Sequence, residues 1–143
     1  MKNEIELREA ICKAALDWMH TPYHHHARVK GVGVDCANLL VAAYAEAGLT
    51  EQIDLGFYPH DWHMHKSEEM FLGWVKKIGL MQISAPRMGD VAVFQFGRTF
   101  SHGAIMTGEE TAIHSYINMG VIISRLDEAP LQGRAVQYWS LFR

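Results

Sequence analysis

Apolar residues near the start of the chain recur at helical spacing. Leu7, Ile11, Ala14, Ala15 and Trp18 form one stripe, which predicts an amphipathic helix from about Glu4 to Met19. Thr21-Pro22 closes it, because the residue before a proline avoids helical dihedrals. A glycine-punctuated loop leads to a second predicted helix, from about Cys36 to Ala47, with Gly48 placed as its left-handed terminator. A third, from Ser67 to Ile78, turns Met70, Phe71, Trp74, Val75 and Ile78 inward, with Ser67 as N-cap and Gly79 beyond its end. The period then changes. Asp90–Phe96, Ser101–Met106, Thr111–Tyr116, Gly120–Arg125 and Ala135–Phe142 are short β-prone runs separated by turn residues such as Gly97, Gly108 and Asn118. Helices followed by a meander of about five strands predict an α+β domain, with helices packed on an antiparallel sheet. Alternation in the last run, Val136, Tyr138 and Phe142 against Gln137, predicts one solvated sheet face.

Composition narrows the class. The chain has 143 residues, 49% hydrophobic and 20% charged, with no repeat or linker-like stretch, which predicts a single domain over residues 1–143. A net charge of −3 and no basic run longer than two residues argue against a nucleic-acid partner. No apolar run approaches the roughly 18–20 residues of a membrane helix, so no membrane partner is expected. Acidic residues stand near the N-terminus where a signal peptide is basic, which predicts synthesis and folding in the cytosol. The two cysteines, Cys12 and Cys36, are too few for a disulfide framework, and Cys12 reads as inert core.

The candidate chemistry starts at Cys36, which follows Asp35 in the opening turn of the second helix. Unpaired N–H groups and the helix dipole at that end favour a thiolate, although the residue also shares an apolar face with Leu39, Leu40 and Ala43. Two of the nine histidines, His102 and His114, fall in adjacent strands. A hairpin centred on Gly108 would set them opposite each other on one face, within hydrogen-bond reach. Each group then has a role: Cys36 as nucleophile, His102 as the base that later delivers the proton to the leaving amine, His114 holding the His102 tautomer, and the Cys36 N–H as oxyanion donor. That scheme requires a sulfur open to solvent and both rings on one face. His24–His26 and His60, His63 and His65 lack a recognised metal spacing, and three consecutive histidines in an extended segment cannot all face one ion. No metal or cofactor is expected.

The segment TPYHHHARVKGVGVDCANLL, with GDVAVF, SHGAI and AIHSY after it, resembles the NlpC-type cell-wall cysteine peptidases, and most of all their phage and prophage branch. The resemblance runs from about Leu7 to the C-terminus. It implies a papain-like α+β fold and a Cys-His-His triad of Cys36, His102 and His114. The implied reaction cleaves amide bonds in peptidoglycan stem peptides, commonly between D-γ-glutamate and diaminopimelate or lysine. By the same resemblance Tyr23 approaches the cysteine, and Asp35 meets the polar end of the substrate or serves as helix cap. Tyr58 and Trp62, with His60, are expected to line the groove. Two departures stand out: Ala37-Asn38 replaces the family's usual Ser-Gly, and His24-His25-His26 replaces Trp-Gly-Gly after Pro-Tyr. Wall targeting would come from a larger assembly such as a phage tail. The alternatives are a non-enzymatic tail component that keeps the fold, or an acyltransferase or thioesterase using the same triad.

Overall fold

The computed structural model describes residues 1–58 and 70–142. Helix α1 spans Glu4–Leu16 and begins in a capping box, with the Asn3 side chain accepting the Glu6 N–H and the Glu6 carboxylate accepting that of Asn3. Its inward stripe is the predicted one, with Ile11, Ala14, Ala15 and Trp18 buried. The helix ends three residues early, capped by Asp17, so the chain has already turned before Pro22. Helix α2, Cys36–Glu46, is capped by Asp35, whose side chain accepts the Asn38 N–H. Every residue from Cys36 to Tyr44 is buried, as befits a helix that is apolar all round. Gly48 ends it at φ +81°, a conformation that glycine adopts without a Cβ penalty. Helix α3 runs Met70–Ile78 and buries Phe71, Trp74, Val75 and Ile78; the Ser67 cap lies outside the described residues.

Between α1 and α2, strands β1 (Arg28–Val29) and β2 (Gly33–Val34) pair as a small antiparallel ribbon where the sequence predicts loop. The main sheet has six strands: β3 (Met81–Ile83), β4 (Val91–Phe96), β5 (Thr99–Met106), β6 (Thr111–Tyr116), β7 (Gly120–Arg125) and β8 (Val136–Ser140). Their spatial order is β3-β8-β4-β5-β6-β7, every pair antiparallel. The chain is therefore not a pure meander. After β7 it crosses back to seat β8 between β4 and β3, and β3 is the strand absent from the predicted five. Three residues are too few to show a period.

Val91, Val93, Ile105, Ile113 and Trp139 face the three helices and build the main core. The opposite face carries a second core on the Val136 and Tyr138 side of β8, whereas Gln137, the residue expected to face solvent, lies on the helix-facing side paired with Val93. Ala92, Phe94, Ala104, Met106 and Ala112 form a second small core there under Leu131, with Leu126, Val136 and Tyr138 packed at its edge. Two features shape β5 near its start. Phe94 pairs with His102 but Gln95 pairs with Phe100, so Ser101 is an extra residue, a bulge that re-aims its neighbours. Gly103 lets α3 approach, because a Cβ there would lie 2.1 Å from the Phe71 ring.

Candidate active site

Helix α2 delivers Cys36 to strand β5. Its sulfur donates a 3.8 Å hydrogen bond to the Ser101 carbonyl, on the residue that precedes His102, rather than to an imidazole nitrogen. His102 Nε2 and His114 Nδ1 are 2.7 Å apart, and His114 Nε2 is 2.9 Å from Ser124 Oγ on β7. The two rings thus lie on one sheet face, as the sequence predicts, but not by the predicted register. Ile105 pairs with Ile113 and Met106 with Ala112, which centres the turn on Glu109 instead of Gly108. Continuing that register puts Tyr116 opposite His102, and His114 becomes a diagonal neighbour. The offset keeps every side chain on its predicted face, whereas a one-residue slip would have reversed them. Phe96 and Tyr116 flank His102, with ring centroids 4.9 and 5.7 Å away. The Arg134 guanidinium stacks 3.4 Å over the Phe96 ring.

The electrostatics differ from the sequence expectation. Burial pushes the Cys36 thiol up to about 12, and the neighbouring Asp35 carboxylate adds to the rise. The N–H groups of Gly103, Ala37 and Cys36 pull the other way but are outweighed. The helix N-terminus therefore does not yield a resting thiolate, because desolvating the sulfur costs more than the dipole returns. Burial, with His114 and Arg134 adding to it, holds the His102 imidazole well below the usual histidine range. Burial alone brings His114 down to about 4. At rest the thiol and both imidazoles are thus neutral. Cys36 is 6% exposed, His102 7% and His114 0%, so the sulfur is nearly sealed where the sequence scheme wanted it open.

Asp35 is saturated by its own protein. Oδ1 accepts the Asn38 N–H and the Asn38 side-chain amide, while Oδ2 accepts the His26 N–H and the Tyr58 hydroxyl. It is 2% exposed and performs its capping role in full. Tyr58 is likewise buried, its ring beside Trp74. Tyr23 runs beside Val34, and its phenol is raised by burial and by the nearby Cys36 and Asp35. The triple histidine acquires a structural job. His25 Nε2 bonds the Tyr58 carbonyl at 2.8 Å and His26 Nε2 the Gly56 carbonyl at 2.7 Å, which ties residues 56–58 to the start of α2. Trp62, His60, His63 and His65 lie outside the described residues. Sequence reasoning overlooked Ser101, Ser124, Phe96, Tyr116 and Arg134. For Ser124 a parity signal existed, since it shares a sheet face with His114, but choosing it needed the register.

A helix-borne cysteine against a strand carrying one histidine, itself bonded to a second, is set in a fold that the whole chain shares with known proteins. The NlpC/P60 family matches residues 20–140. The chain belongs to the NlpC/P60 family. Its fold is similar to that of the NlpC/p60 domain of the peptidoglycan hydrolase SagA, with TM-score 0.59 at 17% identity over 91% of this chain and 96% of that one. The P60 domain of an antigen from M. avium subspecies paratuberculosis gives TM-score 0.59 at 17% identity, covering 97% of both chains. A Staphylococcus aureus NLP/P60 family protein described as similar to lipoprotein gives 0.62 at 19% identity, covering 96% of this chain but 42% of that one. No curated protein sequence matches the chain. Among the described residues of this NlpC/P60 protein, no helix is long and apolar enough to cross a membrane.

Proposed function

We propose that this NlpC/P60 domain is a cysteine peptidase that hydrolyses amide bonds in peptidoglycan stem peptides, at D-γ-glutamyl-diaminopimelate or D-γ-glutamyl-lysine. Cys36 is the nucleophile, His102 the base and His114 the orienting partner. The observation that carries this reading is the 2.7 Å bond between His102 Nε2 and His114 Nδ1. It occupies Nε2 and leaves Nδ1 free to take the proton of Cys36, whose sulfur touches the preceding residue of the same strand and, being 6% exposed at rest, has to be uncovered as substrate binds.

Acylation transfers the thiol proton to His102 Nδ1 as sulfur attacks the carbonyl carbon. The C–N bond then breaks as the imidazolium returns that proton to the leaving amine. Water, deprotonated by His102, cleaves the thioester. Because thiol and imidazole both rest neutral, proton transfer accompanies attack rather than preceding it. The N–H groups of Cys36, Ala37 and Gly103 gather at the sulfur, a disposition that suits an oxyanion formed there. Tyr23 joins the substrate side. Asp35 and Tyr58 act through each other, shaping the start of α2, and Trp62 is assigned to substrate binding. Delivery to the wall is by a larger assembly such as a phage particle.

The test is incubation with purified muropeptides of both wall types, followed by mass spectrometry. Wild type releases products with a new amine terminus, while Cys36→Ala and His102→Ala release none and still melt cooperatively. Product from Cys36→Ala, or none from wild type on either wall type, overturns the proposal. A non-enzymatic tail component predicts the latter result.

A further inference from the structure

Resting on that reading of His102, we infer that Ser124 is a positioning residue at the far end of the relay, its hydroxyl anchoring His114 so that the productive tautomers of His114 and His102 can form. His114 is fully buried, and among the described residues its Nε2 has one partner, Ser124 Oγ, at 2.9 Å. Ser124 is itself 4% exposed, so bulk water is no substitute. Both contacts, His102 with His114 and His114 with Ser124, run diagonally across neighbouring strands on one sheet face, which makes a continuous file from β5 through β6 to β7.

Such a file has two polarities. In one, His102 Nε2–H donates to His114 Nδ1, His114 Nε2–H donates to Ser124 Oγ, and a lone pair remains on His102 Nδ1. In the other, the Ser124 hydroxyl donates to His114 Nε2, His114 Nδ1–H donates to His102 Nε2, and His102 Nδ1 carries a proton. Only the first can accept the proton of Cys36, and it persists when His102 becomes an imidazolium, since both its nitrogens then donate. A hydroxyl can accept as well as donate, so Ser124 supports the productive polarity. A methyl group supports neither, and a wrong tautomer in such a relay costs rate rather than binding.

Two measurements decide this, and the first needs no activity. Long-range proton–nitrogen correlation spectra of wild type at pH 7 should show His114 and His102 protonated at Nε2. Finding His114 protonated at Nδ1 overturns the inference even if the enzyme is active. In Ser124→Ala, kcat on muropeptides should fall about tenfold or more, the scale typical of partners one step removed from the reacting groups. KM should stay within twofold, and Ser124→Thr should recover most of the loss. An unchanged kcat in a folded Ser124→Ala, or a Ser124→Thr no better than it, also overturns the inference. Should wild type hydrolyse nothing, the peptidase reading falls, while the spectra still settle the tautomers.

Discussion

At the residue scale, burial governs the chemistry of both cysteines. Cys12 donates to the Met106 carbonyl at 3.3 Å, and desolvation raises its thiol to about 11; Cys36 stands at about 12. Thiolate is the reacting form. Iodoacetamide at pH 7.5 should therefore modify the folded protein at least about a hundredfold more slowly than free cysteine, and both sites should react promptly in denaturant. Prompt single labelling of the folded protein at Cys36, read by peptide mass spectrometry, would contradict a sealed thiol. The histidines carry a second consequence. His114 titrates near 4 when folded and near its ordinary 6.5 when unfolded, so the unfolded chain binds more protons between those values. Stability is thus fully present above pH 6.5 and is lost as pH falls towards 4. His114 alone should contribute about 3 kcal/mol of that loss, and His102 acts in the same direction. Urea unfolding from pH 7 to pH 4 should show this slope, and His114→Gln should flatten it.

At the element scale, β5 is where helix and sheet chemistry meet. The Ser101 bulge turns His102 onto the face it shares with Phe94 and His114, while the backbone on either side of His102 receives Cys36. Gly103 keeps that stretch thin enough for α3. A Cβ at this position would collide with a Phe71 ring that is fully buried and has little room to yield. Gly103→Ala should cost about 1–3 kcal/mol in chemical denaturation, and Phe71→Leu in the same chain should recover part of it. Additive losses in the double variant would show that the two sites do not press on each other.

For the whole molecule, the helical layer is pinned to the sheet by a buried ion pair. Arg8 on α1 donates to Asp90 at 2.9 Å and to the Met88 carbonyl at 2.9 Å, and the Asp90 carboxylate also accepts the Arg87 N–H. Tyr44 on α2 reaches the same turn through the Gly89 carbonyl at 2.6 Å. Arg8 Nε also pairs with the partly exposed Glu4 at 2.9 Å, so removing Asp90 takes away the buried counter-charge but not the outer one. Asp90→Ala should therefore destabilise the fold by roughly 3–5 kcal/mol, measurable as a lowered denaturant midpoint. Replacing Arg8 and Asp90 together with apolar residues should cost less than either single change. An equal or larger loss in the double variant would mean that the pair is held by more than charge.

Local signals in the chain determined the helices, five of the six sheet strands to within two residues of their limits, and the face on which each histidine lies. The apolar stripe of α1, the Asp35 cap, Gly48 and the alternation in β4 to β7 each depend on neighbours within a few residues, so linear order suffices to read them. Parity belongs to this group too, since His102 and His114 share a face in any register of the same parity. What only the tertiary structure decided are the quantities set by groups far apart in sequence. The turn fixed the actual register and hence the diagonal contact, and β8 found its place between β3 and β4 only when the sheet assembled. Gln137, which β8 alone set on a wet face, lies on the helix-facing side beside Trp139, because strand pairing and not local alternation chose which face the helices cover. The ionisation of Cys36 also belongs here. A helix N-terminus is visible in the sequence, but the desolvation that overrides it comes from everything packed around the sulfur. Ser124 became the partner of His114 for the same reason, because whether the buried hydroxyl on β7 meets the ring depends on how two strands line up in space.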